Sequence, residues 1–300
     1  MMHRHLLTAL ALTICGLQPA QSAEVPAQKL LATLRGQGGV CVILGASAED
    51  VTQLAGPLTE SGRLTVHAVA AGKADLAALQ RAAHEASPAG AIAVEQIKLS
   101  PFPYRTTLID VLLVADAEGA KALGYDSEEA LNAVVPEGWV GRRRNGGWAL
   151  SRKPKEPLFD DWTHEDHGAD RNTVSTDKKV ALPIGYRWNA GLPLNMSAKK
   201  GKQAVYYSTK TLAINGGQVY TIADSVIENL APTFAGKHKK DQYLTARNAF
   251  NGMLLWRKKL FAPEKEDRVY TKKPVLVAVA GQVHGVQDLN HLMVLNGKTG

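Results

Sequence analysis

Two stretches in the second half of this 300-residue chain repeat one another, and that repeat restricts the possible architecture more than any other feature. Residues 212–220 (LAINGGQVY) match 276–284 (LVAVAGQVH) at a spacing of 64, with Gly217 and Gly281 each opening a Gly-Gln-Val triplet. Residues 243–252 (YLTARNAFNG) match 291–300 (HLMVLNGKTG) at a spacing of 48. The 16-residue difference is an insertion in the first unit, between Asp224 and Asp241. Units of this size are supersecondary pieces that bury their faces only against neighbours, so they stack. Within the first unit, Asn215-Gly216-Gly217 predicts a hairpin turn between strands at 212–214 and 219–222. Asn251-Gly252 predicts another between strands at 244–249 and 254–257, making four strands.

The first half has a different rhythm. Residues 39–45 (GVCVILG), 64–70, 90–94 and 109–115 (IDVLLVA) read as short buried strands, separated by helical patterns at 48–58 and 74–86. Such alternation predicts a parallel sheet with helices on both faces, whose ligands sit at the carboxyl ends of the strands. Gly141 to Trp148 predicts a hairpin between two final strands, and the Pro154 to Pro157 stretch a linker. The resulting division is 1–23 leader, 24–150 α/β domain, 151–160 linker and 161–300 repeats.

Hydrophobic residues make up 45% of the chain and charged residues 21%, which excludes a disordered protein and leaves enough apolar material for two cores. The first 23 residues combine a basic start, an apolar run of about a dozen residues and a small-residue end, the pattern of a secretory signal peptide. The mature chain has no stretch long enough to span a bilayer, so export to the periplasm or envelope is expected. Cys15 would leave with the leader, and Cys41 lies in an apolar strand context, so a cysteine-built metal centre is excluded. Residues 24–150 hold 11 Lys+Arg against 14 Asp+Glu, net −3, whereas 151–300 hold 23 against 14, net +9. The basic clusters at 199–202, 237–240 and 257–259 suit solvated loops or an anionic envelope surface, and the export signal argues against nucleic acid.

The order of elements over residues 36–150 resembles the S-adenosylmethionine-dependent methyltransferase domain, with Rossmann-like α/β topology. That resemblance implies cofactor binding at the turn after the first strand, Gly45-Ala46-Ser47-Ala48-Glu49, with Gly45 and Ser47 as the cofactor-binding positions. Ser47 and Glu49 stand where the family has further glycines, and the second strand ends Val69-Ala70-Ala71-Gly72 without the acid that holds the ribose. The segment 102–114 resembles the family's fourth-strand region, and 131–138 (LNAVVPEG) the helix and Pro-Gly turn after it. S-adenosylmethionine is made in the cytoplasm, so the leader and the departures at the turn together imply a degenerate domain.

The pattern Leu244 to Trp256 (LTARNAFNGMLLW) resembles PQQ-like β-propeller repeats, in which Trp256 and Trp188 would be the tryptophans packing between blades. The resemblance covers about 140 residues and assigns structural repeat roles to Trp188, Gly217, Asn251, Gly252, Trp256, Gly281 and Gly300. A propeller closes with 4 to 8 blades, so Gly300, falling inside a repeat, implies an incomplete propeller in a truncated chain. His164, Asp166, His167 and Asp170 lie within seven residues and offer imidazole and carboxylate ligands for a divalent metal, or side chains that tie a blade-closing loop to its own backbone. The quinoprotein branch of the family implies PQQ with calcium, and usually a vicinal cysteine pair that this chain lacks. The combination resembles large envelope proteins of planctomycete-type bacteria. It implies an exported, non-catalytic scaffold whose propeller binds protein or glycan partners, with a quinoprotein-like oxidoreductase second and a methyltransferase third.

Overall fold

The apolar run after Gly38 becomes β2 (Gly39–Ala46), the strand around which the first half is built. In the computed structural model the described residues are 24–34, 37–87, 90–155, 157–178, 188, 211–224, 242–260, 275–288 and 291–300. β2 pairs in parallel with β3 (Leu64–Ala70) on one side and β5 (Ile109–Val114) on the other. β4 (Ile92–Glu95) extends the sheet beyond β3, and β6 (Val134–Arg144) beyond β5, both in parallel. The Asn145-Gly146 turn, both residues at positive φ, reverses the chain into β7 (Gly147–Arg152), antiparallel to β6. A two-residue β1 (Glu24–Val25) closes that edge, giving the order β1-β7-β6-β5-β2-β3-β4.

Both faces of the sheet are covered, which is why β2 and β5 are apolar without alternation. Cys41, Ile43, Val111 and Leu113 face one core with Leu30 and Leu34 of α1 (Ala27–Leu34), Leu54, Leu58 and Leu79. Val42, Leu44, Leu112 and Val114 face the other with Leu99, Phe102, Ala120 and Ala130. The expected helix at 48–58 runs as α2 (Ala48–Asp50), a π-helical stretch (Val51–Ala55) and α3 (Gly56–Thr59). α4 (Lys73–Ala86), α5 (Ala117–Ala122) and α6 (Ser127–Ala133) follow β3 and β5. The expected helix and turn at 131–138 is corrected. α6 ends at Ala133, and the β-branched Val134-Val135 pair starts β6, with a bulge around Glu137, whose φ is +60°.

The repeats form two antiparallel sheets. β8 (Thr211–Asn215), β9 (Gln218–Asp224), β10 (Gln242–Asn248) and β11 (Leu254–Lys259) make the first, in the order β11-β10-β9-β8. β12 (Leu276–Val279), β13 (Gln282–Asp288) and β14 (His291–Asn296) make the second. The two share one core, including Tyr220, Ile222, Leu244, Trp256, Leu276, Val283 and Leu295. Residues 162–163 bridge their edges: the Trp162 carbonyl accepts from Ile214 N, and the Thr163 carbonyl from Ala278 N (2.9 Å). Among the described residues the sheets do not close into a propeller. The leader, the basic clusters at 199–202 and 237–240 and the insertion between Asp224 and Asp241 lie outside the described residues.

Candidate functional site

In a parallel sheet whose strand order reverses direction beside its first strand, ligands bind at the carboxyl ends of the strands flanking the reversal. Here that point lies between β2 and β5. β2 turns at Gly45, whose φ is +66°; a Cβ there would also meet the Asp116 carbonyl oxygen at 2.5 Å, so both backbone and space demand glycine. Ser47 then caps α2. Its amide and hydroxyl donate to Asp50 Oδ2 (2.9 and 2.7 Å), and its Oγ accepts from Asp50 N (3.2 Å). Asp50 is buried and ion-paired with Arg143, whose guanidinium stacks 4.9 Å from the Trp148 ring. The Ser47 side chain is thus committed to the protein, and the turn offers a ligand its backbone. Glu49 accepts from Gln53 (2.9 Å) along the exposed helix face.

The opposite wall is the end of β3. Gly72 caps α4 without a side-chain bond, and residues 70–72 carry no acid. The roof is α5: Asp116 caps it through Glu118 N (3.1 Å), and a Cβ on Gly119 would come within 2.6 Å of Ala71 Cβ. The crevice between the ends of β2 and β3 is therefore narrow, and a ligand there requires α5 to ease away from Ala71.

Two polar arrangements escaped the sequence reading. On the face that Val69 shares, His67 Nδ1 lies 2.7 Å from the Tyr104 hydroxyl, and His67 Nε2 lies 3.7 Å from Glu95. Burial pulls the His67 imidazole below its usual range, partly offset by Glu95, and burial pushes the Tyr104 phenol up. Tyr104 sits in an irregular segment, so no spacing rule links it to a strand histidine. The second is Asp110, buried at the amino-terminal end of β5, where burial pushes its carboxyl up to about 7. Its signal is a lone acid opening the run Ile109 to Val114.

The four candidate metal ligands take separate partners. His167 Nε2 bonds Asp160 (2.7 Å), His164 Nδ1 bonds the Thr163 hydroxyl (2.8 Å), Asp166 pairs with Arg171 (3.2 Å), and Asp170 accepts from Asn172 N (3.3 Å). Among the described residues no three His, Cys, Asp or Glu side chains gather as a metal site. Asp160 also accepts from Thr176 N and the Ser175 hydroxyl, which together hold its carboxyl well below the usual range. Cys41 is buried and its thiol pushed up by burial, then by Asp110, which makes it unreactive.

The repeat residues form a regular device. Trp188 Nε1 donates to the Ala249 carbonyl (2.9 Å) with its ring against Gly252, and Trp256 Nε1 donates to the Gly297 carbonyl (2.7 Å) with its ring against Gly300. Each tryptophan thus reads a turn exactly one repeat offset of 48 from the other. Gly217 faces the Phe250 ring, Gly281 N donates to Asn215 (3.3 Å), and Asn251 reaches back to the α/β domain.

The N-terminal region therefore carries an α/β sheet, parallel from β6 through β5, β2 and β3 to β4, followed by two antiparallel sheets. No family model matches the chain, and no curated protein matches it. Among solved structures it is similar to a SAM-dependent methyltransferase from Thiobacillus denitrificans in complex with S-adenosyl-L-homocysteine. That match has 14% identity and a TM-score of 0.31, and covers 39% of this chain and 46% of that one. It is similar to geranyl diphosphate C-methyltransferase from Streptomyces coelicolor A3(2), at 13% identity and TM-score 0.28, covering 38% and 43%. It is also similar to phosphoethanolamine N-methyltransferase 2 from Haemonchus contortus, at 15% identity and TM-score 0.28, covering 38% and 27%. The chain spans less than half the length of each of these three. The three neighbours are methyltransferases, not the non-catalytic scaffold that was expected. None is a quinoprotein.

Proposed function

We propose that the α/β domain is a methyltransferase-type domain that takes S-adenosylmethionine, or its product, at the carboxyl ends of β2, β3 and β5. The observation that carries this reading is the parallel order with its reversal between β2 and β5, joined to a left-handed Gly45 in the turn from strand to helix. The backbone frame fits the cofactor: Gly45 to Ser47 would cradle it, Gly72 leaves the second wall open, and Asp116 stands beside Gly45. When bound, the cofactor supplies an electrophilic methyl group. The chain's own part is to hold the turn rigid, through the Ser47–Asp50 box and its Arg143 brace, and to exclude water by closing α5. With no acid at the end of β3 and Ser47 turned inward, the affinity is weaker than a full glycine-rich turn gives. Methyl transfer also requires the domain to meet the cofactor in the compartment that makes it.

The test is titration of the full chain with S-adenosyl-L-homocysteine, followed by hydrogen–deuterium exchange. Binding protects 45–50 and 70–73 and alters exchange in 116–122. No heat and no change in those segments at millimolar ligand overturns the reading. The PQQ-like character of the repeats is a separate proposal, supported by the Trp188 and Trp256 contacts, which a longer chain closing into a ring would test.

A further inference from the structure

The two repeat units differ in what covers them. Their strands correspond row by row: Ala213, Tyr220 and Ala246 stand opposite one another across β8, β9 and β10, and Val277, His284 and Val294 form the same row across β12, β13 and β14. In the first unit this face is buried. Tyr220, Leu244 and Ala246 share one core with Leu276, Val283 and Met293, which the second unit presents from the other face of its own sheet. In the second unit the corresponding face is open. Leu292, the counterpart of Leu244, is 72% exposed, and Val294, the counterpart of Ala246, is 51% exposed, whereas Leu244 and Ala246 are fully buried. Val279 on β12 is exposed as well, so the apolar surface runs across the sheet as an interaction surface does.

The edge beside that face repeats the contrast. β10 holds β11 along its outer side in antiparallel register, with Ala246 opposite Trp256. β14 pairs with β13, and among the described residues no strand lies along its other side. The turn that leads the chain to that side is built alike in both units. Asn248 Oδ1 accepts from Phe250 N and Asn251 N, and Gly252 N donates to the Asn248 carbonyl (2.9 Å). Asn296 Oδ1 accepts from Lys298 N and Thr299 N, and Gly300 N donates to the Asn296 carbonyl (2.9 Å). Both glycines have positive φ. A free edge next to an apolar face is a template for an added strand.

We propose that the outer face of β12–β14, together with the free edge of β14, docks a further repeat unit: an antiparallel sheet that brings a β11-like strand to the edge and an aliphatic face to Leu292 and Val294. The occupant follows from the step that relates the two units. The second unit lies on the first through aliphatic side chains at alternate positions, and Trp256 closes on the turn at Gly300. The same step taken once more lays a sheet of the second unit's chemistry on the second unit. Val279, Leu292 and Val294 offer a charged surface no partner, so burying one there costs hydration without return. The inference uses the repeats alone: it is independent of the methyltransferase-type reading and needs no closed ring.

The experiment lengthens the full chain by one repeat step. A copy of residues 253–300 is joined after Gly300, so that the copy of β11 enters beside β14 as β11 does beside β10. Hydrogen–deuterium exchange over 291–296 is compared in the parent and the lengthened chain, and the expected result is a slowing of about tenfold or more. Leu292→Glu with Val294→Glu abolishes that slowing, yet leaves exchange of β9 and β10 in the parent unchanged, because both positions face water there. Equal exchange over 291–296 in parent and lengthened chains overturns the proposal, as does a slowing that survives the double substitution. Should the long copy aggregate, a copy of 253–260 alone decides: it supplies the strand, and unchanged exchange over 291–296 overturns the proposal. A parent that runs as a dimer in light scattering and as a monomer with Leu292→Glu overturns it too, since the face then belongs to a second copy of the chain.

Discussion

Trp256 offers the sharpest test of how the two repeat sheets hold together. Its ring is only 8% exposed, packs on Tyr220 at a centroid distance of 6.1 Å, and closes on the turn that ends at Gly300. Its Nε1–H donates to the Gly297 carbonyl of the second unit (2.7 Å). Trp256→Ala removes the ring and leaves a cavity, a change that costs about 3–5 kcal/mol in a packed core. Trp256→Phe keeps most of the apolar packing and loses the hydrogen bond, which costs about 1–2 kcal/mol including the carbonyl left buried. Because the α/β domain has its own cores, the measurement must report on the repeats alone. Native-state hydrogen exchange of amides in β9, β10 and β13 does so, and the opening free energy there should fall by those amounts while β2 and β5 keep theirs. If Trp256→Ala lowers protection in β13 by less than about 1 kcal/mol, or Phe costs as much as Ala, the tryptophan is not what joins the units.

The remaining expectations are briefer. Because the folded protein holds the His67 imidazole below its ordinary value, protonating it costs folding free energy. Stability of the α/β domain falls as pH drops from about 6.5 toward the folded value. His67→Phe flattens that slope in urea melts at pH 5 to 7, and an unchanged slope would assign it to another group. The leader reading predicts cleavage after Ala23 in an exporting host, read by intact mass; a mature chain that keeps residues 1–23 refutes it. Cleavage together with S-adenosylhomocysteine binding in vitro would mark a pocket retained without its cofactor supply.

Where burial on both faces dictates composition, the fold was legible in the sequence. Residues 39–45 and 109–115 form central strands because nothing but apolar, β-branched runs survives between two helical layers, and Asn145-Gly146 and Asn215-Gly216-Gly217 turn the chain where Asn-Gly chemistry requires. The repeat was legible for a similar reason, since Gly252 and Gly300, which receive the tryptophans, both sit at positive φ. What was not legible depends on long-range docking. Residues 131–138 became the start of a strand because β5 recruits Val134 as a partner. Ser47 and Asp50, three positions apart, form a box that Arg143, more than ninety residues on, braces. Proximity in sequence likewise does not say which partners the His164 to Asp170 side chains take: His164, Asp166 and His167 each bond a different side chain.

The two ends of the parallel sheet carry opposite solutions to the same problem. At the carboxyl ends, glycines at 45 and 119 let α5 lie close over the crevice, so access there depends on how readily a six-residue helix moves. At the amino ends, Gly39, with φ at +117°, leaves the space that the Asp110 carboxylate fills, so a side chain at 39 would displace the acid. Among the described residues, the hydrogen bonds from Asn248 and Asn251 to Asp110 and from Arg63 to Leu255 hold the repeats at the second end, away from α5. The crevice can therefore open without undocking the repeats. S-adenosyl-L-homocysteine should therefore change exchange at 116–122 and leave 246–254 unchanged. A ligand that protects both segments at neutral pH would show that the sheet couples its two ends, and the separation argued from this geometry would fail.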